Sequence, residues 1–70
     1  VARLEEPSTV HDCKASAEQR GFKFASYFDN GNRLFDCYGS SSCDEVENQP
    51  GWTIYHLGNQ YQLYNIYRFT

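Results

Sequence analysis

The sequence predicts an α+β domain: one helix packed on an antiparallel sheet of four to five strands, held by a disulfide staple. Three observations point there. A helical apolar period runs over residues 10–20, two-residue alternation rich in Phe and Tyr fills much of the rest, and cysteines fall on both kinds of segment. No internal repeat or linker divides the 70 residues, so 1–70 reads as a single small domain.

Residues 1–5 (VARLE) read as a short edge strand. Glu6-Pro7 closes it, because proline biases its predecessor toward extended geometry and donates no ladder hydrogen bond. Ser8 and Thr9 are both N-cap candidates, and Asp12 in the first turn suits the helix dipole. Val10, Cys13 and Ala17 make a narrow apolar stripe, while His11, Lys14, Glu18, Gln19 and Arg20 cover the outer faces and Gly21 ends the helix.

Alternation over 22–28 (FKFASYF) sets Phe22, Phe24, Ser26 and Phe28 on one strongly apolar face and Lys23, Ala25 and Tyr27 on the other. Asp29-Asn30-Gly31-Asn32 supplies a hairpin turn. Residues 33–38 (RLFDCY) return as a second strand, with Phe35 and Cys37 expected to face the helix and Leu34, Asp36 and Tyr38 to point away. The acidic stretch 39–50 reads as irregular and ends in a Pro50-Gly51 turn. Residues 52–57 (WTIYHL) form a third strand, Gly58-Asn59 a turn, and 61–69 (YQLYNIYRF) one long fourth strand. On that strand Gln62, Tyr64, Ile66 and Arg68 share a face, and Tyr64 is expected outward because Gln62 and Arg68 are costly to bury.

Composition excludes several function classes. The formal net charge of −3 and pI near 5.1 oppose nucleic-acid binding, which relies on a basic patch to neutralise phosphates. The six Lys and Arg residues are scattered along the chain. Mean hydropathy is −0.72, and no apolar run approaches the ~18 residues of a membrane span. A chain this small buries only about 60% of the surface its unfolded form exposes, so a staple or a partner is expected. Three cysteines in 70 residues lean toward an oxidising compartment, either extracellular or an organelle lumen. The odd number leaves one thiol free or bonded outside the chain. No methionine is present, so Val1 is expected to be a processed end, of a mature protein or of a piece of a longer one.

The order of elements resembles the PAN/apple family over roughly residues 9–57. The parts that carry the likeness are Asp12-Cys13 opening the helix, the aromatic strand 22–27, Cys37-Tyr38 with Ser42-Cys43, and the strand 51–55 (GWTIY). In that family a curved antiparallel sheet cradles a cysteine-bearing helix, and the helix cysteine pairs with the hairpin cysteine. The resemblance therefore implies a Cys13–Cys37 bridge. Closing that loop stabilises by roughly 3 kcal/mol in the chain-entropy model; the rival Cys37–Cys43 loop is tighter and gains less. The family's second helix bridge falls on Ala17 and Gly21 here, both partners being absent together, and the bridge joining the terminal strands is missing too. Cys43 is then left as a free or intermolecular thiol. The resemblance implies a non-enzymatic module that recognises protein or carbohydrate.

The residues that could carry chemistry do not converge in sequence. Zinc needs four ligands, usually in clustered pairs, and Cys13 with His11 or His56 makes no such pair. Asp44, Glu45 and Glu47 are acidic neighbours without the spacing of a calcium loop. No nucleophile, base and oxyanion-donor set is recognisable, so neither cofactor nor catalysis is expected. Six Tyr, five Phe and Trp52 exceed what one short helix buries. Tyr27, Tyr38 and Tyr64 are accordingly expected on the face away from the helix, as a binding surface for a protein or glycan. The alternative is that these rings only cover the sheet as cross-strand pairs. Two other functions stay open: a structural subunit of a larger assembly, and a small secreted effector, toxin or inhibitor.

Overall fold

In the computed structural model of the chain, which describes residues 1–4, 9–29, 31, 35–59 and 61–70, the helix α1 (Val10–Gln19) starts at Thr9. The Thr9 hydroxyl accepts a hydrogen bond from the Asp12 amide at 3.1 Å, and Asp12 places a negative charge in the first turn. At the other end the Gly21 N–H donates to the Glu18 carbonyl at 3.0 Å and the Phe22 N–H to the Ala17 carbonyl at 3.1 Å. This double bond pattern needs a left-handed residue at the turn, and Gly21 supplies it at φ 82°.

Among the described residues seven strands accompany the helix: β1 (Ala2–Leu4), β2 (Phe24–Asp29), β3 (Phe35–Ser40), β4 (Val46–Asn48), β5 (Trp52–His56), β6 (Tyr61–Tyr64) and β7 (Tyr67–Phe69). Five form one sheet in the order β1-β3-β2-β5-β6, and β4 pairs with β7 in a separate two-stranded ribbon. All pairings are antiparallel. The α+β class stands, with the sheet dominating. Of the expected features, Glu5, the Glu6-Pro7 strand end, Ser8, Asn30, Asn32, Arg33 and Leu34 lie outside the described residues. Within the hairpin turn, the Gly31 N–H donates to the Asp29 carboxylate at 2.8 Å, the local bond that makes Asp a turn residue.

A disulfide joins Cys13 on α1 to Cys37 on β3, their Cα atoms 5.7 Å apart. Around it Leu4, Ala17, Ala25, Tyr27 and Leu57 form the buried core, with Val10, Phe22, Phe35 and Tyr55 packed at its margin. The helix comes close because the sheet is small beneath it. A Cβ built on Gly39 would stand 2.3 Å from the Phe22 ring, so only glycine fits at that position.

The parity read for β2 is inverted. Tyr27 pairs with Cys37 and Ala25 with Gly39, and directly opposed residues of an antiparallel pair share a face. The bridge draws Cys37 to the helix, and Tyr27 follows it. Tyr27 is therefore a core residue, 8% exposed, and not part of an outer surface. Phe24 and Phe28 take the far side, where rings have room.

That far side is not left open. β7 packs against β5 and β2, and Trp52, Ile54 and Phe69 are buried there. Phe28 and Tyr38 flank Trp52 at ring-centroid distances of 5.2 and 5.6 Å. The ribbon that covers them arises from two departures from the expected elements. The stretch 39–50 contains β4, and the anticipated long last strand breaks at Asn65-Ile66 into β6 and β7, which belong to different sheets.

Candidate functional site

With both faces of the sheet covered near their centres, the exposed large apolar side chains concentrate elsewhere. Tyr61 is 50% exposed, Tyr64 42% and Ile66 44%; Val1 is the remaining one among the described residues. Tyr61 and Tyr64 stand on β6, the outermost strand beyond β5, and Ile66 lies in the turn that leaves it.

A β-bulge aligns the two tyrosines. Tyr61 pairs with His56, Gln62 with Tyr55 and Tyr64 with Ile54, the register shifting between Ile54 and Tyr55. Leu63 is the extra residue. Two-residue alternation would set Tyr61 and Tyr64 on opposite faces; the bulge brings both to the side of His56 and Ile54. There the rings form a row. His56 lies between Phe24, at a centroid distance of 5.1 Å, and Tyr61, at 5.7 Å. Tyr64 and Tyr67 are 5.1 Å apart.

His56 is oriented by Asn59, whose side-chain amide donates to Nδ1 across 3.0 Å. At one end the row adjoins a cavity of about 490 Å³ bordered by Glu18, Phe22, Lys23 and His56. The arrangement offers flat aromatic area with polar tips.

The three tyrosines singled out from the sequence are not brought together. Tyr27 is under the helix, Tyr38 is half-buried beside Trp52 on the far side, and Tyr64 alone is exposed. Tyr61, Ile66 and His56 take the place of the other two. Nothing in the alternation signals Tyr61 as the partner of Tyr64, because the bulge has no marked residue such as glycine at Leu63.

Cys43 has no bond within the chain and is half-buried. Burial, and then the charge of Asp44, push its thiol above the ordinary range, so it is a poor nucleophile near neutral pH. Among the described residues, no group of three or more His, Cys, Asp or Glu side chains could hold a metal ion. No helix among them is long and apolar enough to cross a membrane. No protein family, curated protein or solved structure matches the chain.

Proposed function

We propose that the chain is a non-enzymatic binding module of an oxidising compartment, secreted or lumenal, that contacts a protein or glycan partner through β6 and the turn into β7. The observation that carries the reading is the concentration of Tyr61, Tyr64 and Ile66, three of the four exposed large apolar side chains among the described residues, at this one edge. Tyrosines supply rigid contact area with a polar tip, which makes them favoured at interfaces. The buried Cys13–Cys37 bridge supports an oxidising compartment, since such bonds persist where thiols are not kept reduced. The PAN/apple relationship belongs to this proposal, and the helix-to-hairpin bridge is what supports it. Tyr38 acts beneath the surface, propping Trp52 on β5. A structural subunit using the same edge inside an assembly is the second reading, favoured by the same exposure.

The test uses the oxidised chain against a glycan array and a panel of extracellular proteins, followed by Tyr61→Ser and Tyr64→Ser. Each variant is expected to weaken binding at least tenfold while unfolding at nearly the same denaturant concentration, because exposed sites shift stability by about 0.5 kcal/mol or less. Binding that survives both changes, or turnover that vanishes on changing His11, His56 or Cys13, would overturn the reading.

A further inference from the structure

β6 ends the five-stranded sheet, and among the described residues only β5 pairs with it. Its outer row of backbone N–H and C=O groups is a template for another strand. Native sheets blunt such edges with shortness, bulges, lysine, proline or inward charges, and β6 has the first two but no charge. At the opposite edge β1 does carry charge, with Arg3 bonded to Asp36 at 2.9 Å. β6 reads Tyr-Gln-Leu-Tyr, and residues 48–67 around it contain no Asp, Glu, Lys or Arg at all.

From this contrast we propose that β6 pairs, antiparallel, with β6 of a second copy of the chain, joining two sheets edge to edge about a two-fold axis. The inference rests on the reading of β6 as the contact surface and names its occupant. Charge decides between occupants. Along 48–67 itself a charged strand finds no opposite charge, and the cavity at the His56 end of the row adds Glu18 and Lys23, one of each sign, so most of its charges would lose hydration without compensation. A second copy brings an edge as neutral as the first, and the charges behind the net −3 all lie outside that stretch. Of the two edges of the five-stranded sheet, β6 is the one where identical chains meet without like charges opposed; at β1, Arg3 would approach Arg3.

Geometry then fixes the register. With the axis between Gln62 and Leu63, Tyr61 stands opposite Tyr64 of the second copy, and the reverse holds across the axis. The bulge has turned both tyrosines to one face, so four rings gather on the same side of the joined sheet. Bulges also pin register, which keeps a short edge from slipping. The strand is only four residues long, and the contact falls below the ~1,000 Å² expected of a stable interface. The dimer is therefore weak and reversible.

Sedimentation of the oxidised chain from micromolar to millimolar concentration tests this. The average mass is expected to rise from 8.1 kDa toward twice that value. Tyr64→Lys alone and Tyr61→Glu alone should each weaken self-association at least tenfold while keeping the amide spectrum of a folded chain. Mixing the two variants sets the new charges opposite each other at one cross-strand pair and leaves two tyrosines at the other, so a heterodimer should re-form. A chain that stays monomeric at millimolar concentration, or a dimer indifferent to both variants, or variants that do not recombine, each overturns the proposal. Were the chain monomeric yet bound another partner through Tyr61 and Tyr64, self-pairing would fall and the contact-surface reading would stand.

Discussion

Beneath α1 the sheet presents Ala25 and Gly39; beneath the ribbon it presents Phe28 and Trp52. The helical cover sits close to the strands and is fastened covalently at Cys13–Cys37. The ribbon's own two strands are joined by backbone bonds, Gln49 N–H to the Ile66 carbonyl at 2.6 Å and Thr70 N–H to the Glu45 carbonyl at 3.1 Å, and by the Arg68–Glu47 ion pair, while toward the sheet the Trp52 N–H of β5 donates to the Gln49 carbonyl at 3.3 Å. That pair is about half exposed on both sides, where ion pairs contribute little. The Arg68 guanidinium also lies 5.8 Å from the centre of the Trp52 ring, and such stacking adds modestly. A cover with a covalent tie can rest on small side chains. A cover without one depends on burying large rings, so the ribbon side should answer most to loss of aromatic volume.

The largest expected effect follows directly. Trp52→Ala should cost about 3–5 kcal/mol, the usual cost of deleting a large buried aromatic, as read by urea unfolding. Trp52→Phe should recover most of it. A loss under about 1 kcal/mol would show that the ribbon side is not a core of its own. Next, the double change Cys13→Ala, Cys37→Ala should remove about 3 kcal/mol by freeing the denatured chain. If hydrogen exchange then accelerated under the ribbon and not under α1, the division between the two covers would be misplaced.

Ser26 sharpens the comparison at smaller scale. It is fully buried, and its hydroxyl has no hydrogen-bond partner among the described residues. A buried unsatisfied group costs free energy, so Ser26→Ala should raise stability by about 1 kcal/mol. A loss of that size would mean that the hydroxyl has a partner in solution.

The smallest effect at neutral pH belongs to Tyr27. Burial first, then the negative charges of Asp29 and Asp12, raise its phenol above 10.0. The neutral form is thus the folded one. Its contribution is fully present below the unfolded value of about 10 and is lost as pH rises through the folded value. One tyrosine of six should ionise late in an ultraviolet titration, together with alkaline unfolding. Six phenols ionising together below the unfolding transition would place Tyr27 outside the core.

The helix, its Thr9 cap and its Gly21 stop were legible in the sequence because each depends on residues within one turn of chain. The Cys13–Cys37 bridge came from the family likeness, not from local chemistry. Long-range pairing was less legible. Expecting Cys37 toward the helix and Tyr27 away from it was inconsistent once the two strands were paired at that register, since Tyr27 opposes Cys37. β4 escaped notice because a three-residue strand in an acidic stretch carries too little alternation to read. The split at Asn65-Ile66 and the bulge at Leu63 hid the contact surface for the same reason: each breaks a two-residue period that looks continuous in the sequence.

The fit of the Phe22 ring over Gly39 has a meaning for inheritance. A methyl at position 39 would stand 2.3 Å from that ring, and the obstacle is as much the size of residue 22 as the smallness of residue 39. In diverging descendants of this chain the two positions are bound to change as a pair, a small residue at 22 preceding any side chain at 39. Laboratory selection from a library randomised at both positions should recover that order of events.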